Sequence, residues 1–153
     1  MLIGIDPGKS GGIAVLYDSG KIIAEPMPGT LRDIWCAFNE ERAVYGDGEP
    51  CFAVIERVHA MPKQGVASTF AFGRGVGHLE MALTAADVPY ESVSPRVWQK
   101  GLGIQPKPKA WGKTQWKNHL REHAQRLYPE QRITLATADA LLLLEYARRT
   151  VVR

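Results

Sequence analysis

The chain has 153 residues, 45% hydrophobic and 23% charged, with a formal net charge of +3. Those proportions fit one globular domain over 1–153 with a real core. With no apolar run of 18 residues and no charged-then-apolar leader, the expectation is a soluble cytoplasmic protein, not a membrane-spanning or exported one. Cys36 and Cys51 stand apart without C-x-x-C spacing, which argues against a disulfide scaffold or cysteine-ligated zinc.

Residues 1–7, about 11–17 (GGIAVLY) and about 21–26 (KIIAEP) read as short β runs separated by Gly-rich or Asp-Ser-Gly turns, the pattern of an antiparallel meander. A helix is predicted over about 30–44, with Leu31, Ile34, Trp35 and Phe38 on one stripe. CFAVIE (51–56) reads as a buried strand, about 67–87 as a long helix, PYESVS as a strand and SPRVWQKGL as the start of a short helix. GIQPKPKAWGK is a Pro-, Lys- and Gly-rich loop, and helices over about 114–127 and about 137–150 close the chain on either side of Tyr128-Pro129. The order βββαβαβααα describes an α/β domain, a mixed sheet flanked by helices.

On that layout three carboxylates occupy positions a core would otherwise fill with apolar groups. Asp6 shares a strand face with Leu2 and Gly4, and Glu56 shares one with Phe52 and Val54, because alternate residues point the same way. Both sit at the carboxyl ends of apolar strands, and if those strands are parallel neighbours the acids meet at the edge where α/β folds bind ligands. Asp139 lies in the first turn of the last helix, on the side of Leu142, Leu143 and Tyr146, so it faces inward. Taken singly, Asp6 could only shape an Asp-Pro-Gly turn or belong to a phosphate cradle, and Asp139 could only complement a helix dipole. Together, three acids aimed at one edge concentrate like charge that cations must neutralise. Hard oxygen ligands suit Mg²⁺ or Mn²⁺, and paired ions about 3.5 to 4 Å apart support phosphodiester hydrolysis.

Charge is unevenly distributed along the chain. Residues 1–95 carry 7 Lys+Arg against 12 Asp+Glu, and residues 96–153 carry 12 against 4, the footprint of a nucleic-acid-binding face. Within it Trp98, Lys100, Lys107, Lys109, Trp111, Lys113, Trp116 and Lys117 interleave cations with indoles, which suits phosphate contacts and base stacking. Core packing is the competing reading for the indoles, and it is preferred for Trp116, which lines up with Leu120, Ala124 and Leu127.

IGIDPG, VIE, VSPRVWQK, GKTQW and TADALLLLEYA, in this order and at these separations, resemble the RuvC family of Holliday-junction resolvases across nearly the whole chain. The resemblance implies an RNase H-like fold with a five-stranded mixed sheet, a homodimer, and cleavage of four-way or otherwise branched DNA by paired nicks. It implies two Mg²⁺ ions per site, with Mn²⁺ able to substitute, held by Asp6, Glu56 and Asp139 as three of the family's four acidic ligands. The fourth place, three residues before the final aspartate, is Ala136, followed by Thr137. The resemblance also implies a basic residue near the active site at Lys113, with Lys100 as a second. The long helix becomes a dimer element. RVHAMPKQGVAST resembles the family's crossover-inserting segment, with Met61 as the apolar wedge and Lys63 beside it as a further DNA contact. Phage-type relatives, acting in a host cytoplasm, are part of the same resemblance.

Two other readings remain at this point, and two further motifs are discounted. Ala136 favours a junction-binding protein that does not cleave. D-x-G after a strand also suits an actin-like ATPase or sugar kinase, although such an enzyme needs a second lobe. His119-Leu-Arg-Glu-His123 fits a zinc-protease H-x-x-E-H pattern on a basic helix with no third ligand signalled, and Gly73-Arg-Gly75-Val-Gly77 lacks dinucleotide-loop spacing, so its glycines instead predict close approach to the sheet or to a dimer mate.

Overall fold

The computed structural model describes residues 1–45, 50–59 and 65–151. Five strands, β1 (Leu2–Asp6), β2 (Gly12–Leu16), β3 (Ile22–Pro26), β4 (Phe52–Glu56) and β5 (Tyr90–Val93), form one sheet in the order β3-β2-β1-β4-β5. The first three pair antiparallel as a meander, whereas β4 runs parallel to β1 and β5 parallel to β4. The helices are α1 (Leu31–Tyr45), α2 (Val66–Ala85), α3 (Pro95–Gly101), α4 (Lys113–Leu127) and α5 (Ala138–Val151). Each predicted element is present, with ends shifted by one or two residues. No helix among the described residues is long and apolar enough to cross a membrane.

Strand alternation sorts the core into two halves. Ile3, Ile5, Ile13, Val15, Ala53 and Ile55 face α1 and α2, while Leu2, Ala14 and Val54 face α3, α4 and α5. α5 carries four consecutive leucines, Leu141 to Leu144, each with no exposed surface, because it packs against β1, β2, β4, α3 and α4 at once. At roughly 1.5–3 kcal/mol per fully buried leucine, this one helix is a principal source of the fold's stability.

Two glycines set how closely the last helix and the first turn approach the sheet. A Cβ on Gly4 would lie 2.3 Å from both the Ala140 carbonyl oxygen and the Leu144 backbone nitrogen, so only glycine lets α5 rest on β1. A Cβ on Gly11 would lie 2.0 Å from the Asp6 carbonyl oxygen, and Gly8, at φ 112°, turns the chain with Gly11 N donating to its carbonyl at 3.1 Å. The DPGKSGG turn therefore folds back tightly behind Asp6.

The glycines of α2 correct the expectation that they admit the sheet. A Cβ at Gly73, Gly75 or Gly77 would meet nothing within 4 Å in this chain. The same helix exposes Val66, Phe70 and Met81 and buries Leu79, Ala82 and Leu83.

Candidate active site

Parallel pairing of Ile5 with Ile55 puts Asp6 and Glu56 side by side at the ends of β1 and β4. Asp139 reaches the same edge from the first turn of α5. That turn is built by Thr134 and Thr137: Thr134 N donates to Thr137 Oγ1 at 3.0 Å and Thr137 N to Thr134 Oγ1 at 3.3 Å. Side-chain oxygens thus satisfy backbone donors ahead of the helix, and the Thr137 hydroxyl, beside Ala136, is engaged in holding this turn.

Asp6 and Asp139 are buried and Glu56 half-buried. Burial, and next the charge of Asp139, push the Asp6 carboxyl up to about 7, against the opposing pull of Lys117. Burial also raises Glu56 above the usual carboxylate range, although Trp98 opposes the shift by donating from Nε1 to Glu56 Oε1 at 2.9 Å. The lysine among these acids is Lys117, on α4. Its ammonium donates to Asp139 Oδ2 and stands 3.8 Å from Asp6 Oδ2. Burial alone would lower its pKa, but Asp139 and then Asp6 outweigh it and hold Lys117 above its ordinary value.

The fit of a divalent cation can be tested on these groups. Asp139 Oδ1 is buried with no hydrogen-bond partner, and Asp6 is crowded by like charge. Both deficits are relieved by a cation, and the carboxylate oxygens are hard donors of the Mg²⁺ type. The side chains fit such an ion. Among the described residues, however, no three His, Cys, Asp or Glu side chains already form a group that could hold one, and Lys117 lies against two of the acids.

The other predicted residues distribute around this centre. Lys113, one helical turn before Lys117, is exposed, and so are Lys100, Lys107 and Lys109. Lys100 and Lys107 line an open groove of about 530 Å³ with Arg96, Gln99 and Gln105. Trp111 is half-buried, its ring 5.2 Å from His119 in an edge-on contact, and Trp116 stacks on His119 at 5.4 Å. His123 instead meets Arg126 Nη2 at 3.0 Å. Met61 and Lys63 lie outside the described residues.

Trp98 follows the core-packing reading of the indoles, not the base-stacking one. It is fully buried and cannot stack on a base, because its indole is spent holding Glu56. Lys117, expected only as a DNA contact, belongs to the acid cluster. It lies three residues before Leu120 and seven before Ala124, both buried, so a cation on the core stripe was the readable signal.

No family model matches this sequence, and no curated protein matches it. Solved structures do. The chain is similar to Thermus thermophilus RuvC in complex with a Holliday junction substrate, with TM-score 0.61 and 15% identity over 97% of this chain and 94% of that one. It is also similar to a further Thermus thermophilus RuvC structure, with TM-score 0.59 and 16% identity over 98% of this chain and 96% of that one. The five-stranded mixed sheet with its five helices is thus the RNase H-like fold of the RuvC Holliday-junction resolvases.

Proposed function

We propose that the protein is a structure-selective, metal-dependent endodeoxyribonuclease that resolves Holliday junctions or other branched DNA by paired nicks. The observation that carries this reading is the meeting of Asp6, Glu56 and Asp139 at one sheet edge, two of them displaced upward in pKa by burial and like charge. Such crowding costs stability and is retained where carboxylates have chemical work. Asp6, Glu56 and Asp139 would hold Mg²⁺ or Mn²⁺, which when bound supplies Lewis-acid stabilisation of charge on the phosphate.

The chain's own residues do the rest of the positioning. Trp98 fixes the Glu56 carboxylate and Lys117 offers a half-buried positive charge beside Asp139 and Asp6. Arg96, Lys100 and Lys107, with Lys109, Lys113 and Trp111 nearby in sequence, would bind the DNA backbone on the same C-terminal third. Paired nicks need two sites, and the exposed Val66, Phe70 and Met81 with the open glycine positions of α2 favour a homodimer through that helix. Met61 remains our candidate wedge at the crossover and Lys63 a DNA contact beside it. A single-domain enzyme of the cytoplasm, cellular or phage-borne, fits this reading.

A second reading is a junction-binding protein that does not cleave, favoured because Lys117 already pairs with two of the acids and Ala136 supplies no ligand. One experiment separates them: labelled four-way junction and linear duplex are incubated with Mg²⁺, Mn²⁺ or EDTA, alongside Asp6→Asn. Metal-dependent symmetric nicks lost in Asp6→Asn establish the nuclease. Tight junction binding without nicks establishes the binding protein.

A further inference from the structure

Four ionisable groups meet at the edge of β1 and β4: the carboxyls of Asp6, Glu56 and Asp139 and the amine of Lys117. When all are ionised the cluster carries a net −2, which one divalent cation balances and two would overshoot. The arrangement of atoms points the same way. Oδ2 of Asp139 and Oδ2 of Asp6 both face the Lys117 ammonium, whereas Oδ1 of Asp139 is buried with no partner. One cation is therefore already in place on one side of Asp139, and an unmet demand for positive charge remains on the other.

Residue 136 borders this cluster without adding a donor to it. The Ala136 carbonyl oxygen would lie 2.7 Å from a Cβ on Gly12, and Gly12 is the ladder partner of Asp6. The side chain of residue 136 is a methyl group, so this position supplies no further carboxylate. Lys117 is in turn fixed by its helix: Leu120 and Ala124, on the same stripe of α4, are buried in the core between α4 and α5. Withdrawing the ammonium would leave two buried carboxylates facing each other uncompensated.

We infer that Lys117 serves as the site's built-in second cation, so that each chain binds one divalent ion there instead of two. This rests on the metal-dependent reading above but makes its own demand, on stoichiometry. Asp139, whose Oδ1 has no hydrogen-bond partner, would hold the ion together with Asp6 and Glu56.

The test is a Mn²⁺ titration of the full chain without DNA, followed by loss of the free-ion electron paramagnetic resonance signal, with Asp139→Asn to localise the site. The expected count is one Mn²⁺ per chain, abolished by Asp139→Asn, unchanged in Lys117→Arg, and rising to two in Lys117→Met/Ala136→Asp. Two ions in the unaltered chain overturn the inference and leave the metal-dependent reading standing. A count that stays at one in the folded double variant, checked by circular dichroism, overturns the role given to Lys117. No Mn²⁺ bound, or binding that survives Asp139→Asn, overturns both the inference and the metal-dependent reading. Should the double variant not fold, the unaltered chain alone decides the count, and Lys117→Gln bound to the same single ion with unchanged affinity overturns the role of Lys117.

Discussion

Trp98 Nε1 donates to Glu56 Oε1 at 2.9 Å from a ring with no exposed surface. A fully buried indole has one packed orientation, so the bond fixes the carboxylate at the end of β4 as firmly as the core fixes the ring. Trp98→Phe keeps most of the packing and removes the donor. A hydrogen bond to a charged group contributes about 1.5–3 kcal/mol, so the nicking rate is expected to fall by about tenfold to a hundredfold. The bond favours ionised Glu56, and its loss raises that carboxyl further. The acid limb of the pH–rate profile then moves to higher pH, while junction affinity stays unchanged. A profile that does not move denies Trp98 this role.

Asp6 makes the metal-free fold pH-dependent. Its carboxyl is pushed up to about 7 from an ordinary value of 3.8, chiefly by burial. Because the folded pKa is the higher one, stability falls as pH rises from about 4 to about 7 and does not recover above that. The stability lost across that window is on the order of 2–4 kcal/mol. Asp6→Asn removes the ionisable group and should raise the melting temperature at pH 8 by several degrees, with little change at pH 4. Mg²⁺ should stabilise the unaltered chain at pH 8 and the variant far less, measured by calorimetry with and without EDTA.

These properties were unequally visible in the sequence. The strand ends at Asp6 and Glu56 could be read because alternation and a run of apolar residues determine both face and position. Their meeting needed the parallel pairing of β1 with β4, which no local pattern contains. Lys117 and Trp98 fall in a segment whose composition is basic and aromatic, and composition does not say which of its side chains turn inward. Three-dimensional packing divided that segment: Trp98 went to the core, Lys117 to the acids, and Lys100 and Lys107 to an open groove. Glu145 on its leucine-rich helix carries no sequence signal of burial, since its partners come from its own last turn and from the end of α4.

Glu145 is buried and accepts from Tyr128 Oη at 3.0 Å, from Arg148 at 2.8 and 2.9 Å, and from Arg149 at 2.7 Å. Burial would raise its pKa, but donors from Arg148, Arg149 and Tyr128 outweigh that and hold it below the usual carboxylate range. A depressed folded value means stability that is present above the ordinary carboxylate pKa and lost as pH falls through the folded one. Tyr128→Phe removes one donor and should cost about 1–2 kcal/mol in urea unfolding at pH 7. The cost should shrink in acid as Glu145 protonates; an equal cost at both pH values argues against a charge-assisted bond.

The groove of Arg96, Lys100 and Lys107 gives the DNA-binding proposal a measurable slope. If about 6 to 10 phosphates are contacted across a dimer, affinity falls by roughly 10³ to 10⁵ between 50 and 200 mM salt. Lys100→Ala and Lys107→Ala should each weaken junction binding and lower the salt slope by about 1 per phosphate contact removed. Unchanged slopes, read by fluorescence anisotropy at four salt concentrations, would place the DNA on another face.

Gly4 joins the stability of the fold to the geometry of the site. Its alanine variant puts a methyl carbon 2.3 Å from Ala140 O and Leu144 N, both backbone atoms that no side-chain rotation can move aside. The last helix must lift from β1, and Asp139 sits one residue before Ala140 on that helix. Overpacking of this kind typically costs about 1–3 kcal/mol and sometimes more, and here it strikes backbone on both sides, so about 3 kcal/mol or more is expected in chemical unfolding. Displacing α5 also moves Asp139 relative to Asp6, Glu56 and Lys117. Gly4→Ala should therefore lose metal-dependent nicking more completely than its residual folded fraction explains. If the folded variant nicks at an undiminished rate per molecule, the position of Asp139 does not depend on how closely α5 rests on β1.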